Sequence, residues 1–326
     1  MRRAALLVSA LALALASPAA ADDDRAGGFW LDVTEPHHDE VASLMARCEA
    51  GLKVFDDADL SDTPPTASAR RAAMQEIEGV LRYARKLEPD SADVLRMLAR
   101  VADEAGDARE ARGALHALVA LVGEDHAGPD ALDRIGTAAI EAGRFDDAIR
   151  VLRIAQGPVA ISEPASAPVL VHLATALAFE GRTGDAIDVL ANEVSNTGAF
   201  EPTDRMIVAF ALAVQYDRDE QRGAAFDVLD RMKAALGDQL PSALQTSLAR
   251  MRFAPAEDER YYRALMDEVV GDYPEARTEW LLYAADDGAR YRRRALDHAR
   301  ALDALPPPRK VPTLVVPSPP IPQVTP

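Results

Sequence analysis

Apolar residues recur along most of this chain every three or four positions, the period of an α-helix with one buried face. Val41, Leu44, Met45, Cys48 and Leu52 form one such stripe, which predicts a helix from about His38 to Phe55. Ile77, Leu81 and Ala84 form a second, over about 69–87. It stops at Leu87-Glu88-Pro89-Asp90, where proline cannot continue the helix. Beyond it the stripes come in pairs: 91–104 with 107–121, 129–142 with 145–156, 165–180 with 183–194, and 202–217 with 221–235. A short helix over about 242–252 and a last one over about 288–304 complete the pattern. Period-two alternation of β-branched residues is absent, so the expected fold class is all-α.

The breaks between paired stripes are themselves periodic. Gly106, Gly143, Gly181 and Glu220 each stand five residues before an alanine, namely Ala111, Ala148, Ala186 and Ala225. Each alanine is followed four residues later by Leu115, Leu152, Leu190 or Leu229. The turn positions are 37, 38 and 39 residues apart. After an interval of 51 residues Gly271 and Ala276 restart the pattern, with Trp280 in the leucine position. Glycine takes a left-handed turn conformation at little steric cost, and alanine fits where two helices cross closely. Glu220 lacks that freedom, so its turn is expected to be longer or looser. Recurrence at this period means stacked helical hairpins.

The residues Leu132, Ile135, Gly136, Ala139, Gly143, Phe145, Ala148, Leu152 and Ala155 resemble the tetratricopeptide repeat family. So do Leu170, Leu173, Ala174, Leu177, Gly181, Ala186 and Leu190, and the resemblance extends over roughly 68–286. The period here exceeds the family's ~34 residues. The surplus falls in joints such as Gly157-Pro158 and Ser162 to Pro168. The resemblance implies a right-handed solenoid whose first helices line a concave face that holds segments of partner proteins.

The ends of the chain differ from its middle. Arg2-Arg3, an apolar run from Ala4 to Ala16 and Ala19-Ala20-Ala21 read as an export signal cleaved near Ala21, over residues 1–21. Residues 22–36 read as irregular, with Phe29-Trp30 expected to fold over the first hairpin. Residues 37–87 are read as an N-terminal hairpin, 88–240 as the repeats, and 241–305 as a C-terminal hairpin with a capping helix. Residues 306–326 are rich in proline and read as a disordered tail, either a tether or a ligand. The expected location is the periplasm or the cell exterior.

A formal charge of −17 disfavours nucleic acid and anionic lipid as partners. The single cysteine, Cys48, excludes an intramolecular disulfide and falls on an apolar stripe as a small core residue. Beyond the signal, no segment has the length of a membrane helix. His37-His38-Asp39-Glu40 is the one cluster of possible metal ligands, but its spacing is not that of a zinc site. No phosphate loop or nucleophile elbow is present, and neither metal nor cofactor is expected.

Counting back ten and six residues from each turn gives candidate groove positions: Arg96 and Arg100, Asp133 and Thr137, Val171 and Thr175, Phe210 and Val214. Phe179 lies two residues before its turn. These positions predict a groove basic at one end and apolar in the middle. An apolar or amphipathic peptide would meet Val171, Thr175, Phe179, Phe210 and Val214, and its acidic end would meet Arg96 and Arg100. The competing reading is that these side chains are packing. The expected function is a non-enzymatic scaffold or assembly adaptor in the bacterial cell envelope, serving a secretion, pilus, motility or outer-membrane complex. The alternative is a periplasmic metal-dependent or wall-active enzyme built on His37-His38.

Overall fold

The computed structural model describes residues 37–59, 65–157, 166–195 and 202–305. The signal, Phe29-Trp30 and the proline-rich tail lie outside these residues. Among the described residues the regular structure is helical throughout.

A first unit extends to Glu259 and a second begins at Arg260. In the first unit α1 (His38–Asp59) and α2 (Ala67–Leu87) lead into α3 (Ala92–Ala105) and α4 (Ala108–Val122). Next come α5 (Pro129–Glu141) with α6 (Phe145–Gln156), and α7 (Ala167–Phe179) with α8 (Thr183–Ser195). The series closes with α9 (Pro202–Arg218), α10 (Arg222–Leu236) and α11 (Leu240–Arg250). Helix α12 (Asp258–Val270) starts at the boundary, and α13 (Tyr273–Ala285) and α14 (Arg292–Asp303) belong to the second unit. The boundary between the two units thus falls at 259/260. Helix α11 packs on α9 within the first unit and does not group with the C-terminal hairpin.

One turn is used five times. At Gly106, Gly143, Gly181 and Gly271 φ lies between 70° and 88°, and Glu220 adopts the same left-handed region at 59°. In each case the next residue's amide reaches back to a carbonyl five residues earlier. These bonds are Asp107 to Ala102 (2.7 Å), and Arg144 to Ala139, Arg182 to Leu177, Gln221 to Tyr216 and Asp272 to Asp267 (2.8 Å each). The turn residue's own amide bonds three residues back, as from Glu220 to Asp217 at 3.0 Å. This pair of bonds satisfies the last helical carbonyls and reverses the chain. The Glu220 turn is thus no looser than the others. The chain accepts the left-handed strain because the same two hydrogen bonds form there.

Reversal brings the next helix back against its partner, and small residues set the spacing. Ala148, Ala186 and Ala276 are fully buried, and Ala111 and Ala225 nearly so. Gly136 on α5 makes the closest approach, since a Cβ there would lie 2.5 Å from Cγ of buried Leu152 on α6. At the N-terminal end Val41, Ala84 and Val94 tie α1, α2 and α3 together. Cys48 on α1 is fully buried as well, and burial pushes its thiol up to about 12.

The second unit is held by aromatics. Tyr261 meets Trp280 and Tyr283 edge to face, with centroids 4.7 and 5.2 Å away. The Trp280 indole donates to Glu268 at 3.0 Å and stacks on His298 at 4.4 Å. Trp280 fills the leucine position of the earlier repeats with a larger, fully buried ring.

Two substitutions test this account. Gly136→Ala should cost about 1–3 kcal/mol by overpacking against Leu152, although alanine is the better helix former. Glu220→Gly should raise stability by about 0.5–1 kcal/mol, because left-handed strain is removed and part of the gain is lost to chain entropy. Urea midpoints at constant slope would show both.

Candidate functional site

The first helices of the hairpins, α5, α7 and α9, pack side by side. The candidate groove positions divide into two groups along this face.

At the N-terminal end α1, α3 and α5 enclose an open groove of about 800 Å3. Arg96 and Arg100 line it, together with His38, Met45, Leu52, Lys53, Met97 and Arg134. The cations are not uncommitted. Arg96 donates to the carbonyls of Ala127 and His126 at 3.2 Å each and to Asp93 at 2.7 Å. Arg100 donates to Glu104 at 3.2 Å, and Arg70 donates to the same carboxylate at 3.0 Å. Burial works to raise the Glu104 pKa, but the two guanidinia hold it below the usual carboxylate range. Acidic Glu49, Glu88, Asp93 and Asp130 also line the groove, so its charge is mixed. Met45 and Met97 are half-buried and supply its adaptable apolar surface.

The middle of the face is not a groove. Phe210 and Val214 are fully buried, and Val171, Thr175 and Phe179 nearly so, as the packing reading of these positions expects. The Thr175 hydroxyl donates to Val171 O at 2.9 Å. Phe179 packs edge to face on Phe145 at 5.7 Å, with the Arg218 guanidinium 6.0 Å from its ring centroid. Thr137 is likewise buried, its hydroxyl donating to Arg134 O at 3.0 Å. Two causes combine. Helix α7 is apolar around its whole circumference, which demands cover on every side. The chain itself supplies some of that cover through the residues that follow α11.

Residues 251–258 cross this face. The Arg252 guanidinium pairs with Asp103 of α3 and lies 3.7 Å from Glu141 of α5. Asp103 also accepts from Arg134. The Arg252 carbonyl is 2.6 Å from His172 Nε2, and His172 Nδ1 is 2.7 Å from Asp133 Oδ1. Phe253 and Ala254 are buried, and Asp258 forms a buried ion pair with Arg218 at 2.9 Å.

Both partners of His172 present acceptor oxygens, an arrangement that favours a proton on each ring nitrogen. Burial alone would lower its pKa. The Asp133 carboxylate and the Arg252 carbonyl override that effect and hold the pKa above the ordinary histidine value.

His37 and His38 are about half exposed and lie 3.8 and 3.7 Å from Glu40 and Glu88. Among the described residues no group of three or more histidine, cysteine or acidic side chains is placed to hold a metal ion. No described helix is long and apolar enough to cross a membrane.

No family model matches the sequence, and no curated protein matches it. Solved structures do. That of pilF from Pseudomonas aeruginosa is 15% identical and covers 80% of this chain and 99% of its own, with a TM-score of 0.45. A tetratricopeptide repeat protein from Parabacteroides merdae is 10% identical, covers 84% and 98%, and has a TM-score of 0.40. The C-terminal part of a tetratricopeptide-containing protein from Cytophaga hutchinsonii is 14% identical, covers 80% and 98%, and has a TM-score of 0.41.

A raised histidine pKa adds stability below the unfolded value of ~6.5 and loses it as pH rises through the folded value. The advantage of the wild-type chain over His172→Asn in melting temperature should therefore be large at ~pH 6 and small at ~pH 9. Parallel pH profiles would show that His172 is neutral. The repeated turn, the paired helices and the buried alanines make the described chain an array of helical hairpins.

Proposed function

We propose that the chain is a non-enzymatic binding scaffold of the bacterial cell envelope that holds a partner protein's segment in the groove between α1, α3 and α5. One observation carries this reading. The groove opens on the first-helix side of the array, has about 800 Å3 of space, and is filled by none of the described residues. Its lining alternates apolar Met45, Leu52 and Met97 with charged Lys53, Glu49 and Asp130. An amphipathic partner segment fits such a lining, with its apolar face inward and its charged flanks at the rim. A strongly acidic partner does not, because Arg96 and Arg100 are already satisfied within the chain.

Support for the envelope comes from the N-terminal pattern of Arg2-Arg3, the apolar run and Ala19-Ala20-Ala21. The reading extends to an assembly role in a secretion, pilus, motility or outer-membrane complex, where a stack of hairpins would present one partner to another.

The test uses the tagged full chain expressed in its own host, with capture from the envelope fraction. Met45→Glu with Met97→Glu keeps helix propensity and places two charges on the apolar lining. Capture of the partner should fall by about tenfold or more, the equivalent of ~1.4 kcal/mol, with the circular dichroism unchanged. Equal capture by both proteins would remove the groove from the account. Phe179 and Phe210 are unsuitable for this test, because charges there would unfold the core.

A further inference from the structure

Residues 251–258 make contacts of the kind a bound peptide makes. The segment leaves α11 in an extended conformation at Met251, bends at Ala254-Pro255 and turns through Ala256-Glu257 into Asp258, the first residue of α12. It places a backbone carbonyl 2.6 Å from His172 Nε2 and a guanidinium beside two carboxylates, and its Phe253 and Ala254 are buried. Its far end, Asp258, meets Arg218. The Arg252 side chain remains 43% exposed. The segment also lies in the one long interval of the array, between Glu220 and Gly271, where 51 residues stand in place of 37 to 39. The hairpins repeat on either side of it.

One polar side chain on the Arg218 side of α9 is unmet. Gln215 lies on α9 three residues before Arg218, hence on the same side of the helix. It is fully buried, and both of its amide atoms lack a hydrogen-bond partner. A buried amide with unmet donor and acceptor is costly.

We propose that the face formed by Asp103, Asp133, Glu141, His172 and Arg218 is a second binding site, for a short protein segment bearing an arginine followed by an aromatic residue, and that residues 251–258 are its resident, exchangeable occupant. The proposal rests on the scaffold reading only in taking the ligand to be a protein. The carboxylates at one end select a cation, and the net charge of −17 draws basic segments from a distance. Arg218 at the other end selects an acidic group. Because the resident is tethered through α11 and α12, its local concentration is of millimolar order. A modest intrinsic affinity is enough to keep the site closed. A competitor's apparent affinity falls by the fraction of time the site is open.

The experiment uses a fluorescent synthetic peptide of sequence 251–258, Met-Arg-Phe-Ala-Pro-Ala-Glu-Asp. It is titrated into the full chain and into the Arg252→Ala, Phe253→Ala double variant. The double variant should bind it about tenfold or more tightly than the wild-type chain, because its own occupant is weakened. A peptide with glutamate in place of the arginine should not bind. Absence of binding to a double variant with wild-type helicity would overturn the proposal. Should the double variant lose its helical structure, hydrogen exchange on the wild-type chain decides. Amides of 251–258 exchanging well ahead of those of α7 support an exchangeable occupant, and equal protection overturns it. Neither readout involves an envelope partner, so a failed capture through the Met45–Met97 groove leaves this result intact, and the reverse also holds.

Discussion

The array depends on one backbone bond repeated at five turns. An amide just past each turn residue reaches the carbonyl five residues back, and it can do so only when φ of the turn residue is positive. That bond ends one helix and aims the next. The alanine five residues on then meets the preceding helix at a distance that a larger side chain would not allow. Turn, spacing and close packing are linked in this way, and the interval of 37 to 39 residues is their visible trace in the chain.

With the hairpins stacked, the first-helix face divides into an open part and a closed part. The open part lies where α1 stands beside α3 and α5, and methionines there give a surface that can adjust to different shapes. The closed part lies over α7 and is bound by ionic contacts. A buried His172–Asp133 pair adds little net stability after desolvation, but it tolerates few other arrangements. The role that best suits such contacts is to define one position for residues 251–258.

Much of the fold was readable from spacing. The helix pairs, the turn glycines and the buried alanines stand where their periodicity placed them, because helix period and left-handed turns are local properties. The tightness of the Glu220 turn is not legible in its identity, since the hydrogen bonds that compensate its strain do not show there. The choice between groove and packing in the middle of the face is open in the sequence for a different reason. Counting from turns identifies the side of a helix but not what covers that side. Two signals pointed to the cover. Helix α7 has only His172 and Thr175 as polar residues in 167–179, and the interval before Gly271 has room for an extra helix and a crossing segment. The contacts from Arg252 to Asp103, 149 residues away, had no local signature at all.

That long separation has a consequence for the order of assembly. Each hairpin needs only its own residues and its neighbour's, so hairpins can form one after another as the chain emerges. The crossing segment is different, because it is made only after α11. Until then Asp103, Asp133 and His172 are present without their occupant, and the apolar circumference of α7 lacks part of its cover. A newly made chain therefore passes through a stage in which this face is exposed and adhesive, and closing it is among the last steps of maturation.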